Sequence, residues 1–184
     1  MKSVMISIKP KWCEMIARGQ KTIEARKTRP KLETPFKCYI YCTKPKYEHE
    51  DFIRIDCQKI QFYGGQKVIG EFVCDEILQF NHDDYNSPAY DISDDDLNRT
   101  CLFQEDLYRY ANGKTLYGWH ISALVIYDVP RELENFWKAG KCQYVTENGC
   151  TYSGHCFRTG QTNRCGEPLT RPPQSWCYVE EEEK

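Results

Sequence analysis

Short apolar runs, interrupted by glycine, proline and clustered charge, set the limits on this fold. Strand composition is expected over residues 4–8, 22–27, 36–43, 67–78, 117–127 and 176–179. Helical spacing at length occurs over 10–18 and 102–110, with a turn and short helix over 130–137. The resulting order is β-α-β-β-β-α-β, an insertion, then a closing strand. A doubly wound sheet needs helices between most of its strands. The expected class is therefore α+β, a small β-barrel carrying two or three short helices. The chain shows no internal repeat, no Gly-rich phosphate loop and no dinucleotide fingerprint. Its 184 residues suit one domain with an appendage, and 40% hydrophobic residues can form a core.

Local signals sharpen the boundaries. Pro10 opens the first helix, where its missing N–H is harmless, and Gly19 is placed to cap the end. Trp12, Met15 and Ile16 fall on one face of that helix. Gly64-Gly65 marks a turn, and Gly70 marks a bulge or a close backbone approach within its strand. Ser93, with Asp96 three residues on, reads as a helix start, and Asn112-Gly113 stops the second helix. Residues 45–59 are charged and irregular, and 81–96 are acidic and turn-rich.

Residues 19–26, Gly-Gln-Lys-Thr-Ile-Glu-Ala-Arg, hold the most chemistry. In an extended strand alternate residues share a face, so Glu24 and Arg26 are neighbours. Lys21 sits at the mouth of the preceding turn and can bend toward either face. Two cations around one carboxylate suit an anion or a polar planar ligand such as a nucleobase. The plainer reading is a surface ion pair, worth about 0–1 kcal/mol.

Charge is segregated along the chain. Residues 1–46 carry twelve Lys or Arg against three Glu, and residues 71–106 carry eleven acids against Arg99 alone. The basic part includes Trp12, Phe36, Tyr39 and Tyr41, and interleaved cations and aromatics suit phosphates and bases. A solvated basic face over core aromatics is the alternative. The N-terminus lacks the apolar run of a secretory signal, and no stretch is long enough to span a membrane. A cytoplasmic protein with no membrane partner is expected.

Gly19-x-Lys21-x-x-Glu24-x-Arg26 resembles the signature of the ASCH domain, a small β-barrel related to the PUA family of RNA-binding modules. The strand and helix before it match the family's order. Gly118-Trp119-His120-Ile121 resembles the family's late strand with an aromatic facing the cavity. Pro172-Pro173-Gln174-Ser175-Trp176-Cys177-Tyr178-Val179 resembles the closing segment of a bacterial and phage-associated branch. The resemblance spans roughly residues 3–130 and the closing strand. It implies a PUA-like barrel over 1–137 closed by a strand over 171–179, with an acidic tail over 180–184. It also implies a ligand cleft formed by Gly19, Lys21, Glu24 and Arg26, with Trp12, Trp119 and Trp176 as stacking walls and His120 nearby. RNA, a nucleoside or a nucleotide is the implied ligand.

Some members of that family are hydrolases. One bacterial subgroup deacetylates N4-acetylcytidine with a Lys, a Thr and a distant Glu, and others cleave RNA. Lys21 falls on the catalytic Lys, but Glu24 stands where the nucleophilic Thr belongs, and a carboxylate cannot simply replace a hydroxyl. Thr22 is close in sequence yet on another face from Lys21, and Glu105 is one candidate for the distant Glu. The alternative function is therefore a ribonuclease or nucleoside amidohydrolase with Lys21 and Glu24 catalytic. In that scheme Lys21 serves as base or nucleophile, Glu24 accepts a 2′-hydroxyl proton, Arg26 binds phosphate, and His120 is either an acid or structural. A further alternative is a regulatory adaptor that binds other proteins through its acidic loop and its cysteine-rich finger.

Eleven cysteines remain to be placed. Without a signal peptide, disulfides are the weaker explanation. Cys38 and Cys74, in apolar runs, read as small buried hydrophobes. Cys142, Cys150, Cys156 and Cys165 lie in a glycine-rich insertion over 138–170 with few aliphatic residues. Four thiolates on a structural Zn²⁺ can order such a segment, because metal binding becomes folding energy. The spacing Cys-x7-Cys-x5-Cys resembles that of RNA-binding CCCH fingers, with Cys165 in place of the missing His. His155 and Cys177 are competing ligands.

Overall fold

The structure is a computed structural model that describes residues 2–47, 52–54, 61–82, 89–139, 145–146, 149–150 and 167–180. In chain order the strands are β1 (Lys2–Ile8), β2 (Ile23–Arg26), β3 (Phe36–Cys42), β4 (Phe52–Arg54), β5 (Gln61–Tyr63), β6 (Val68–Cys74), β7 (Ile77–His82) and β8 (Tyr90–Asp91). They continue as β9 (Leu116–His120), β10 (Ser122–Arg131), β11 (Trp137–Lys138), β12 (Val145–Thr146), β13 (Gly149–Cys150), β14 (Glu167–Pro168) and β15 (Trp176–Glu180). Three helices join them: α1 (Pro10–Ala17), α2 (Asp94–Thr100) and α3 (Gln104–Ala111), plus a 3₁₀ turn at Leu133–Asn135.

The strands do not close into one barrel among the described residues. A seven-stranded sheet runs β10-β6-β3-β1-β15-β11-β14, and a separate four-stranded sheet runs β2-β9-β7-β8. Among the described residues only the β1–β3 pair is parallel; the other ladders are antiparallel. Two expected strands prove to be two each. The run over 67–78 breaks at Asp75-Glu76, leaving β6 in the large sheet and β7 in the small one. The run over 117–127 breaks at Ile121, so β9 and β10 also belong to different sheets. Strands that switch sheets at a bend form the corners of such packings. Two adjacent acids mark the first corner, whereas Ile121 at the second is as apolar as the strands it divides.

Three apolar clusters follow from the two sheets. Val4, Ile6 and Ile8 of β1 meet Phe72, Trp119, Ile121 and α1's Cys13 and Ile16 in the first. Met5, Tyr39, Tyr41 and Val179, on the opposite face of the large sheet, pack with Phe136 and Leu169 in the second. Ile23, Ala25 and Phe80 pack with α3's Leu107 and Ala111 in the third. β1 is thus buried on both faces. Gly70 shows why a strand can carry a glycine here, since a Cβ would collide with the Val125 carbonyl oxygen of β10. Cys38 and Cys74 are fully buried in the first cluster. Their thiols are pushed upward by burial, that of Cys74 to about 12.

The insertion leaves the large sheet through β11 and re-enters through β14, its antiparallel neighbour, with Trp137 opposite Pro168 and Lys138 opposite Glu167. Cys142, Cys156, Cys165 and His155 lie outside the described residues, and of Cys150 only its place in β13 is described. No helix among the described residues is long and apolar enough to cross a membrane.

Candidate functional site

The segment before β2 is aimed by the end of α1. Gly19 adopts a left-handed backbone (φ 71°), and its N–H donates to the Ile16 carbonyl at 2.8 Å while Gln20 N–H donates to Met15 at 2.9 Å. This crossed pair of bonds is the Schellman closure that favours glycine at the helix exit. The Lys21 N–H also reaches the Met15 carbonyl (3.1 Å), so the chain reverses sharply and Lys21 precedes the strand rather than lying in it.

β2 then pairs antiparallel with β9, placing Glu24 opposite Trp119 and Arg26 opposite Tyr117. Ile23 and Ala25 face the third core cluster, so Glu24 and Arg26 face the large sheet. Lys21 bends toward that face and meets them. Its Nζ lies 3.2 Å from Glu24 Oε2, and Arg26 Nη2 lies 3.0 Å from Glu24 Oε1. The three residues are 2%, 7% and 8% exposed. This excludes the surface-pair reading: the trio is a buried cluster with a net charge of +1.

Each member has further partners that hold it in place. Lys21 Nζ donates to the Ile23 carbonyl (2.9 Å) and to the Thr100 carbonyl (2.6 Å). Thr100 is the last residue of α2, where unpaired carbonyls and the dipole favour a cation. That helix is started by Ser93, whose Oγ accepts the Asp96 N–H at 3.1 Å. Three acids at its N-terminal end and Arg99 in its last turn complement the dipole. Arg26 Nη2 also donates to the Ser7 carbonyl (2.6 Å), and Nη1 lies 3.5 Å from Ser175 Oγ. The segment leading into β15 is therefore part of the site, tied down by Ser7 Oγ donating to the Pro173 carbonyl (2.6 Å). Among the described residues, two buried donors at this inner face have no partner: Arg26 Nε and Trp119 Nε1.

The aromatic candidates divide. Trp12 stands beside the trio, with Lys21 Nζ 5.3 Å from its ring centroid. Trp119 is wholly buried, its ring 5.9 Å from both Phe36 and Trp176, so it backs the trio and offers no open face in this arrangement. Trp176 is half-buried and donates its indole N–H to Thr28 Oγ1 (3.0 Å). His120 stands apart at the sheet corner, with Nδ1 2.6 Å from Asp75 Oδ1. Burial raises the Asp75 carboxyl, but bonds from His120, its own backbone and Ser122 outweigh that and hold it below its usual range. Thr22 accepts from Arg99 Nε (3.2 Å). Glu105 is exposed on α3, and among the described residues no ion pair joins it to the trio. Cys177 is half-buried and packs against the second core cluster. Among the described residues no group of three or more metal-binding side chains is found.

Thr100, Ser7 and Ser175 are the site residues that sequence reasoning missed. The first two contribute backbone carbonyls, which no residue type signals. Ser175 lies within the closing segment, and its hydroxyl was legible only as part of that motif.

No family profile matches the chain, and no curated protein matches it in sequence. Solved structures do. An ASCH structure from Zymomonas mobilis has 16% identity and a TM-score of 0.54, covering 98% of this chain and 89% of that one. A tyrosine-to-phenylalanine variant of that protein has 16% identity and a TM-score of 0.56, with coverage of 99% and 93%. A serine-to-alanine variant has 14% identity and a TM-score of 0.54, with coverage of 98% and 89%. The described architecture thus has the ASCH fold, in agreement with the resemblance carried by residues 19–26.

Proposed function

We propose that the Lys21–Glu24–Arg26 cluster binds RNA or a modified nucleoside. The observation that carries this reading is a buried trio of net positive charge with two unpartnered N–H donors, Arg26 Nε and Trp119 Nε1, on the same inner face. Buried donors without partners are rare in native proteins and call for an explanation. A carbonyl or phosphate oxygen of a nucleotide supplies the acceptor. The ASCH fold adds weight, since the resemblance implies RNA as the partner. Binding is favoured over hydrolysis because the catalytic candidates are already engaged. Lys21 donates to two backbone carbonyls and is ion-paired with Glu24, and both Glu24 oxygens face cations. The cysteine-rich insertion is proposed to be held by one Zn²⁺ on Cys142, Cys150, Cys156 and Cys165. Its two ends leave and re-enter on adjacent strands, and four thiolates form a tetrahedral zinc donor set.

The test is equilibrium binding of labelled RNA and of free nucleosides to the wild type and to Arg26→Lys, which keeps the charge and loses the Nε donor. Loss of affinity by roughly tenfold or more, with the fold intact by circular dichroism, is expected for a charge-assisted bond. Equal binding by both proteins overturns the assignment. Turnover of RNA or an acetylated nucleoside that Lys21→Ala abolishes while binding persists establishes the hydrolase instead.

A further inference from the structure

We infer that the loop over residues 27–33 is a track for the phosphate backbone of a single-stranded nucleic acid, so that the trio reads one nucleotide within a strand rather than a free nucleoside. This rests on the reading above and adds a second surface to it. The loop follows Arg26 directly. Lys27, Arg29 and Lys31 are all exposed, against one acid, Glu33. Among the described residues no carboxylate lies within ion-pair distance of any of the three, whereas Arg18, Lys37, Lys67 and Arg99 each have one.

The uncompensated cations are set on aromatic rings. Lys27 Nζ is 4.8 Å from the Tyr110 centroid, and the Arg29 guanidinium is 5.9 Å from that of Tyr117. At the far end of the loop the Lys31 N–H donates to the Tyr178 hydroxyl at 2.7 Å, and Lys2 Nζ sits 4.7 Å over the same ring. The loop is thereby fixed on β15, and Trp176 joins it to the trio: it bonds Thr28 on one side and packs on Trp119, the cross-strand partner of Glu24, on the other. Residues 29–33 line an open hollow of about 510 Å³. Cations with free ionic valence beside aromatic faces are what an unpaired strand needs, the cations for phosphates and the rings for bases.

The experiment titrates a short fluorescent oligouridylate into the wild type, into Lys27→Ala/Arg29→Ala/Lys31→Ala, and into Arg26→Lys, across a salt series. Each phosphate contact on a single strand contributes about 0.7 to the slope of log K against log salt. Three lost contacts lower that slope by about 2 and weaken binding on the order of a hundredfold at about 0.1 M salt. A mononucleotide has no flank, so its affinity responds to Arg26→Lys and not to the triple variant. If the triple variant keeps the wild-type affinity and slope while Arg26→Lys loses binding, the track is wrong and the trio reading stands. If neither oligouridylate nor a free nucleoside binds the wild type or any variant, both readings fail. The same loss on oligodeoxythymidylate supports a phosphate track; a loss confined to the ribose strand overturns it in favour of sugar recognition. Competition by polyglutamate as effective as that by the oligonucleotide also overturns it. The thermal midpoint of the triple variant confirms folding, and Arg29→Gln and Lys31→Gln singly repeat the test if it falls.

Discussion

Glu24→Gln removes the one carboxylate of a buried cluster while keeping its shape. In the wild type Glu24 faces Lys21 at 3.2 Å and Arg26 at 3.0 Å, all three almost excluded from water. Breaking a buried ion pair by neutralising one partner costs about 3–5 kcal/mol, because a charge is left uncompensated. The cost should lie near the lower end. Lys21 keeps its bonds to the Ile23 and Thr100 carbonyls, and Arg26 keeps its bond to Ser7, so neither cation is stripped of acceptors. About 3 kcal/mol converts to a fall in Tm of roughly 6–12 °C for a chain of this size. Urea denaturation followed by fluorescence and circular dichroism gives the free energy directly. The double variant Lys21→Met/Glu24→Gln should be less damaged than the sum of its singles, since it removes one of the two stranded cations. A loss below about 1 kcal/mol for Glu24→Gln, the value of an exposed pair, would refute the claim that the cluster is buried and coupled.

Three further outcomes are expected. Burial disfavours the thiolate, so Cys13, Cys38 and Cys74, all raised by desolvation, should resist alkylation at about pH 8, where a free thiol of ordinary pKa is partly ionised; rapid labelling of Cys38 or Cys74, mapped by mass spectrometry, would contradict their packing. Glu71 is raised by burial but held below its usual value overall by bonds from Tyr127 (2.6 Å) and Lys37, so its contribution to stability is present above the unfolded carboxyl pKa and lost as pH falls through the folded one. Tyr127→Phe should therefore lower Tm at neutral pH, with the difference from wild type shrinking in acid; a difference that is constant from neutral pH to about pH 3 would sink that assignment. Elemental analysis should find one zinc per chain, and replacing Cys150 and Cys156 by serine should remove it; a metal-free protein with an unchanged proteolysis pattern would rule the zinc out.

Local chemistry made much of this molecule legible in the sequence. The α1 exit at Gly19, the Ser93 cap and the stop at Asn112, which adopts a left-handed backbone, depend on contacts within a few residues. They are set by side chains that neighbours in the chain can satisfy. The pleat likewise puts Glu24 and Arg26 on one face of an extended strand. What no local rule could supply was where the chain turns its corners. Asp75-Glu76 and Ile121 divide runs that each read as one strand, because the division answers to the packing of two sheets. The depth of the ionic trio was equally invisible, since solvent exclusion comes from Ser7, Thr100 and the segment before β15, which lie 14 to 154 positions from Lys21 in the numbering. Tertiary packing alone turned a motif that could have been a surface ion pair into a buried charged cluster, because the field between charges depends on what surrounds them and not on their spacing along the chain.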